Sequence, residues 1–402
     1  MTKRKKSDLD LALETRAVRA GRGDLHDLGV HAPPIDLSTT YPFDDLKAAS
    51  ESLDAMVAGG PPVGNPVYAR LHNPSVARYE HGLAALEGTE DAVAFASGMA
   101  ATTAAILAAR RSGSHVVGVR PIYGSTDTLL TKGYLGVEVT WTDQDGVRDT
   151  LRDDTALVIC ETPSNPTAHL ADIRHIVEQA GNVPVMVDST FATPVLQNPA
   201  AQGAALVMHS ATKYLGGHGD VMAGIIACSA VWAARLREIR VYTGANLHPL
   251  AAFMLHRGLP TLPLRVMRHQ ETALTIAKKL QKHRQVNRVF YPGLKGGDPR
   301  SLIGDQMRGP GPMLSFEIGA DDPDGGFSAA DRLLKNVRII TAAVSLGSVD
   351  SLIQHPAGLT HRTVNDDARK AGDVSPGLLR LSVGLEDAGD IWRDLEQALA
   401  AR

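Results

Sequence analysis

Two stretches decide how this chain is read: Pro184-Val185-Met186-Val187-Asp188, and Ala205-Leu206-Val207-Met208-His209 running on into Ser210-Ala211-Thr212-Lys213. Each is apolar until its last residues and then turns abruptly polar. A strand that is apolar throughout has to be covered on both faces, which is the signature of a parallel sheet between helices. Similar runs stand at Val93–Phe95, His115–Val119, Val137–Trp141 and Ala156–Cys160, and helix-length segments separate most of them. Asn73-Pro74 opens one predicted helix, with Asn as N-cap and Pro at the first position, and Gly88 closes it. Another spans Asp172 to Ala180 and stops at Gly181, and a third begins near Tyr123. The predicted fold class is α/β, with a large, mostly parallel sheet.

Outward from this core, residues 1–65 carry few periodic signals and read as an N-terminal arm, ending in the loop Gly59-Gly60-Pro61-Pro62-Val63-Gly64-Asn65-Pro66. Residues 66–250 form the α/β domain. A long helical stretch over about 248–285 is interrupted by Pro260 and Pro263. Beyond Val286 the pattern changes: Val289–Tyr291, Met313–Ile318 and Leu379–Val383 read as strands, and Ala329–Asn336 and Asp390–Leu399 as helices. Residues 251–402 are therefore expected to be a smaller α+β domain. The uncharged run Ala92–Ala109 has the length of a marginal membrane span. Its Ser97, Gly98, Thr102 and Thr103 make it a strand, a tight turn and a buried Ala-rich helix instead.

Composition narrows the function classes. The 402 residues carry 41 Lys and Arg against 44 Asp and Glu, a net charge of −3, so no nucleic-acid surface is implied by the balance. The 38 glycines and 23 prolines fall well short of the ~25–30 % share that marks a low-complexity chain. Lys3-Arg4-Lys5-Lys6 has no apolar segment behind it, so it reads as a solvated tail rather than a signal peptide. Cys160 and Cys228 are too few for a disulfide framework or a Cys-based zinc site. The expectation is a cytoplasmic, reducing location with no membrane partner.

In a parallel sheet, ligands bind outside the carboxyl ends of the strands. Four run ends are suited to one rim: Ala96-Ser97-Gly98-Met99, Glu161-Thr162-Pro163-Ser164-Asn165-Pro166, Asp188, and His209 to Lys213. Ser97-Gly98-Met99 leads directly into a helix, whose N–H groups and dipole attract an anion. Ser210 and Thr212 add hydroxyl donors, Lys213 an amine, and Asp188 a carboxylate on the neighbouring strand. A phosphate, a carbonyl that reacts with an amine, and a ring nitrogen that seeks a carboxylate occur together in pyridoxal phosphate (PLP). Taken singly, each residue has an ordinary alternative. Asp188 suits a helix N-cap, Tyr123 a core or surface position, and Arg380 a surface ion pair. His209 and His218 lack a third ligand at metal-site spacing, so no metal is expected. Gly216-Gly217-His218-Gly219-Asp220 lacks the third glycine of the dinucleotide fingerprint.

Val187-Asp188-Ser189-Thr190-Phe191-Ala192-Thr193-Pro194, with His209 to His218, closely resembles the Cys/Met-metabolism family of PLP enzymes. That family includes the cystathionine synthases and lyases, the methionine γ-lyases and the homoserine-ester sulfhydrylases. Tyr68-Ala69-Arg70, Ser97 to Ala100, Tyr123-Gly124, Glu161 to Pro166 and Arg380 to Glu386 extend the resemblance from about Thr15 to the C-terminus. It implies an aspartate-aminotransferase-like, fold type I architecture. It also implies residue roles. Lys213 would form the Schiff base with PLP and carry protons, Asp188 would hold the ring nitrogen protonated, and Tyr123 would stack on the ring and take part in proton transfer. Gly98, Met99, Ser210 and Thr212 would bind the phosphate, and Asn165 would lie near the ring hydroxyl. Arg380, with Ser345, would hold the substrate carboxylate. Tyr68 and Arg70 would reach a neighbouring subunit's site, which implies a homo-oligomer, at least a dimer and by expectation a tetramer.

Three positions bear on the reaction. Ser125 stands where methionine γ-lyases usually place a cysteine, and Arg240-Val241 replaces their Lys-Asp pair ahead of Tyr242-Thr243-Gly244. Both departures count against a dedicated methionine lyase. Val344 stands where cystathionine enzymes often carry Glu, and it suits a short, uncharged γ substituent. The expected activity is γ-elimination on a methionine-, cystathionine- or homocysteine-type amino acid. The alternatives are γ-replacement on an activated homoserine ester and, more remotely, a non-catalytic ligand-sensing module.

Overall fold

The computed structural model describes residues 11–401. The basic run at Lys3 to Lys6 lies outside the described residues. Two helices, α1 (Leu13–Arg19) and α2 (Leu46–Val57), occupy the segment expected to be signal-poor. They leave little trace in the sequence because they bury so little: Ala17 in α1, and Ser52 and Met56 in α2. Asp45 starts α2 by accepting the N–H groups of Lys47 (2.8 Å) and Ala48 (3.2 Å). In α3 (Pro74–Glu87), Asn73 caps the N–H groups of Ser75 and Val76, and Gly88 ends the helix at φ +73°. Such a cap contributes ~1 kcal/mol.

The first sheet is assembled from β1 (Asp91–Phe95), β2 (His115–Val119), β3 (Glu138–Thr142), β4 (Thr155–Glu161), β5 (Val185–Asp188), β6 (Leu206–His209) and β7 (Gly224–Cys228). Its order is β1-β7-β6-β5-β4-β2-β3, with β7 antiparallel to both of its neighbours and the remaining pairs parallel. The sheet is thus mixed, and β7 was not among the expected strands. Gly224-Ile225-Ile226-Ala227-Cys228 is apolar throughout, and such a run carries no information about strand direction.

Helices α4 (Gly98–Ala109), α5 (Gly124–Thr131), α6 (Ile173–Ala180) and α7 (Thr193–Leu196) lie between these strands, and α8 (Ala230–Thr243) follows β7. One face of the sheet packs Phe95, Ile159, Met186 and Met208 against the alanines of α4 and against Ala233 and Leu236 of α8. The other packs Val117, Val158, Cys160 and Val187 against Ile173 and Ile176 of α6. Burying each large apolar side chain here contributes about 1.5–3 kcal/mol. Both cysteines are buried and unpaired, and burial pushes the Cys160 thiol up to about 12.

After α9 (Pro249–Gly258) a short turn at Leu259–Thr261 holds Pro260, and Pro263 falls in the first turn of α10 (Leu262–Leu280). Proline lacks the N–H that a helix interior needs, so the stretch breaks where expected. The second sheet contains β8 (Val286–Phe290), β9 (Met313–Ile318), β10 (Thr341–Ala342), β11 (Leu352–Gln354) and β12 (Leu378–Ser382), in the order β10-β11-β12-β9-β8. Helices α11 (Phe327–Asn336), α12 (Asp366–Ala371) and α13 (Ala388–Leu399) complete this part. Strands β10 and β11 are too short to show a period in the sequence.

Candidate active site

The carboxyl ends of β1, β4, β5 and β6 open into one cavity of about 510 Å³. Gly98, Met99, Tyr123, Asn165, Asp188, Ser210, Thr212 and Lys213 line it from the first sheet. Val344, Ser345 and Arg380 line it from the second. Tyr68 and Arg70 do not. The Arg70 guanidinium lies 5.5 Å from the centre of the Tyr68 ring and donates to the Val241 carbonyl at 2.6 Å, and Tyr68 is exposed.

Asp188 ends β5 and is buried. Its Oδ1 accepts the N–H of Thr190 at 3.0 Å and the Thr190 hydroxyl at 2.5 Å. Thr190 Oγ1 in turn accepts the Ser210 N–H at 2.9 Å, so one hydroxyl ties the ends of β5 and β6 together. Burial raises the Asp188 pKa, and the Thr190 bonds and His209 oppose that shift. His209 itself points away from the cavity, with its Nε2 2.6 Å from Glu87, and His218 Nδ1 lies 2.8 Å from the Gly216 carbonyl.

Lys213 follows the turn after β6. Its Nζ donates to Ser345 Oγ at 2.7 Å. Burial, with Arg380 second, lowers its pKa to about 8, so roughly a tenth of the amine is neutral at pH 7 and half near pH 8. Ser345 holds φ +83°, a conformation that costs ~1–3 kcal/mol for a non-glycine residue. Arg380 Nη2 fixes it by donating to its carbonyl at 2.7 Å. At Gly347 (φ +78°) a Cβ would come within 2.6 Å of the Tyr214 nitrogen, so only glycine lets this loop pack on the Lys213-Tyr214 peptide. Arg380 is also buried, and its Nη1 donates to Asn165 Oδ1 at 2.8 Å while its Nε has no partner among the described residues. Desolvation lowers its pKa to about 10, and it stays cationic at neutral pH.

Several lining residues had no assigned role in the sequence: Glu161, Thr190, Phe191, Met208, Met222, Leu346, Leu359 and Thr360. Thr190 and Glu161 lie inside quoted motifs, but nothing in spacing alone tells which hydroxyl or carboxylate supports a neighbour. The two departures from the methionine-lyase pattern sit elsewhere. Ser125 is exposed on α5, and Arg240 is buried in α8 against Glu80 at 2.6 Å. Neither lines the cavity.

A rim of this kind, with a lysine, an aspartate and a helix N-terminus at the ends of mostly parallel strands, defines a PLP enzyme of the α/β class. The chain belongs to the Cys/Met metabolism PLP-dependent enzymes, whose family profile matches residues 14–400. It is 53 % identical over 390 residues to an L-methionine gamma-lyase of Streptomyces avermitilis, covering 96 % of this chain and 89 % of that one. Among solved structures it is similar to a cystathionine gamma synthase of Xanthomonas oryzae pv. oryzae (TM-score 0.86, 35 % identity, 97 % and 98 % covered). It is equally similar to a cystathionine gamma lyase of Micromonospora echinospora (TM-score 0.86, 35 % identity, 98 % and 100 % covered).

The residues present fit PLP. The Gly98 and Met99 N–H groups open α4 unbonded among the described residues, and the Ser210 hydroxyl beside them has no partner there either. A Cβ on Gly98 would stand 3.0 Å from Ser210 Cβ, so the glycine keeps this cup open. Asp188 Oδ2 receives no donor from the described residues. The Thr212 hydroxyl, by contrast, donates to the Ala223 carbonyl at 3.1 Å and braces the entry to β7. No helix among the described residues is long and apolar enough to cross a membrane.

Proposed function

We propose that this enzyme is a carbon–sulfur lyase that performs γ-elimination on a methionine-type amino acid. The observation that carries it is the division of the cavity: a buried polar floor of Lys213, Asp188 and Arg380 beneath an apolar mouth of Val344, Leu359 and Met222, each at least half exposed. The relatives named L-methionine gamma-lyase support the same substrate class. Ser125 and Arg240 stand outside this chain's own cavity, and relatives named L-methionine gamma-lyase share more than half of its residues, which supports this reading over the expectation drawn from those two positions.

When bound, PLP supplies an electron-accepting ring that stabilises negative charge on the substrate's carbons. In this proposal Gly98, Met99 and Ser210 hold its phosphate, Thr212 shapes that cup from beneath, and Asn165 faces its ring hydroxyl. Asp188 Oδ2 keeps a proton on the ring nitrogen. The Lys213 amine, neutral in a large fraction near pH 8, moves protons at the substrate's α and β carbons. Tyr123 protonates the departing sulfur as the Cγ–S bond breaks. Arg380 pairs with the substrate carboxylate, oriented by Ser345. With one water consumed, the products are a thiol, ammonia and a 2-keto acid. An uncharged thioether passes Val344 without the desolvation cost that a distal ammonium would meet there.

Tyr68 and Arg70 are assigned to a neighbouring subunit's cavity, which makes a dimer the smallest working unit and a tetramer the expected one. Their exposure outside their own cavity supports this, as do the exposed Leu37, Phe43 and Leu46 of the N-terminal arm. The two buried, unpaired thiols fit a reducing cytoplasmic location. The test is a panel of methionine, cystathionine, homocysteine and acetyl- and succinyl-homoserine, each with and without an added thiol. Keto acid and free thiol from methionine are expected. Turnover confined to homoserine esters, and only with a thiol present, would establish γ-replacement instead.

A further inference from the structure

Glu161 is the last residue of β4, and its Cα is in register with that of Asp188 on β5. It is 6 % exposed and faces the cavity, yet the proposed chemistry gives it no work. Its Oε2 accepts the Tyr123 N–H at 2.7 Å, and its Oε1 accepts the Asn165 N–H at 2.7 Å. Tyr123 immediately precedes α5, where no side chain caps the helix. Asn165 Oδ1 accepts from Arg380, and Arg380 also holds the Ser345 carbonyl. One carboxylate thus links the segment carrying Tyr123 to the segment carrying Asn165, and through Asn165 to the second sheet.

The placement is costly. Burial and the nearby Asp188 both push the Glu161 carboxyl well above its usual range, and its two N–H donors and Arg380 oppose that. Removing either oxygen would leave a buried N–H without its acceptor, a cost larger than the net worth of the bond itself. In its ionised form, which the two N–H donors and Arg380 favour, Glu161 offers two acceptor oxygens and no donor, as no other side chain of this length does. A Gln amide would satisfy one N–H and set its own NH2 against the other.

We propose that Glu161 is a positioning residue that fixes the Tyr123 ring and the Asn165–Arg380 pair together, and so couples cofactor stacking to substrate-carboxylate binding. This rests on the reading of the cavity given above. Displacement of Tyr123 acts on cofactor affinity and kcat, and displacement of Asn165 and Arg380 acts on KM. A side chain that served folding alone would change none of these in the molecules that fold.

The experiment compares the parent with Glu161→Gln. Each is stripped of cofactor, titrated with PLP by its visible absorbance, and assayed with methionine. The expected result is a rise of about fivefold or more in the PLP Kd, a rise of about tenfold in KM and a fall of about tenfold in kcat, since small misplacements at reacting atoms are amplified. A folded E161Q chain whose PLP Kd or KM stays within about twofold of the parent overturns the proposal. If E161Q does not fold, Glu161→Asp, which keeps the charge and is one carbon shorter, is judged by the same thresholds. A parent that binds no PLP overturns the functional reading and this proposal together. When the parent binds PLP and turns over methionine, the functional reading stands and the variants alone decide the role of Glu161.

Discussion

The two sheets meet at the cavity on unequal terms. The first contributes groups that are buried and bonded more than once. Asp188 takes two bonds from Thr190, Thr190 takes one from Ser210, and Glu161 bridges two segments. The second contributes one buried cation, Arg380, and a loop whose Val344 is half exposed at the mouth. Groups fixed by several bonds hold position to the fraction of an ångström that proton transfer demands. A half-exposed apolar side chain on a loop can change without disturbing them. On the proposed reading, chemistry shared by many substrates falls on the rigid rim, and discrimination among substrates on the looser one.

The largest effect expected is at the centre of the rigid rim. Lys213→Ala removes the amine proposed to bond the cofactor and to carry protons, and turnover should fall by about 10³-fold or more in a steady-state assay. Retained turnover would move the chemistry elsewhere. Next is the buried cation where the sheets meet. Arg380→Ala deletes the proposed charge-assisted fork on the substrate carboxylate, worth about 1.5–3 kcal/mol, so KM for every amino acid in the panel should rise by roughly 10- to 150-fold. An unchanged KM would remove Arg380 from the carboxylate site.

At the looser rim, Val344→Glu should lower kcat/KM for methionine by about tenfold while that for cystathionine, with its distal ammonium, falls less or rises. Equal losses on both would deny the mouth its role in discrimination. The smallest effect is expected where neither rim is touched. Ser125→Cys lies on the surface of α5 and should leave kcat/KM within about twofold.

Most of the first sheet was legible because its strands are buried on both faces and write themselves as unbroken apolar runs. Their ends, from Ser97 to Met99 and at Asp188 and Lys213, were legible because polar residues break those runs abruptly. The direction of β7 was not legible, since an apolar run reads the same either way. Helices α1 and α2 were missed because one or two buried residues make no period. Thr190 and Glu161 act through bonds to residues far away in sequence or to backbone groups, and neither leaves a pattern. Ser125 and Arg240 illustrate the converse: residues that differ from a family habit bear on substrate choice only if they face the substrate, and neither lines this chain's own cavity.

The claim on which the rest depends is that Lys213, with its amine lowered to about 8, is the residue that bonds PLP. Purified chain loaded with PLP, reduced with borohydride, digested and analysed by mass spectrometry tests it directly. The account expects the cofactor's mass on the single peptide containing Lys213, with labelling that increases as the pH of loading is raised toward 8 and then levels. Label on another lysine, or none at all, would contradict it.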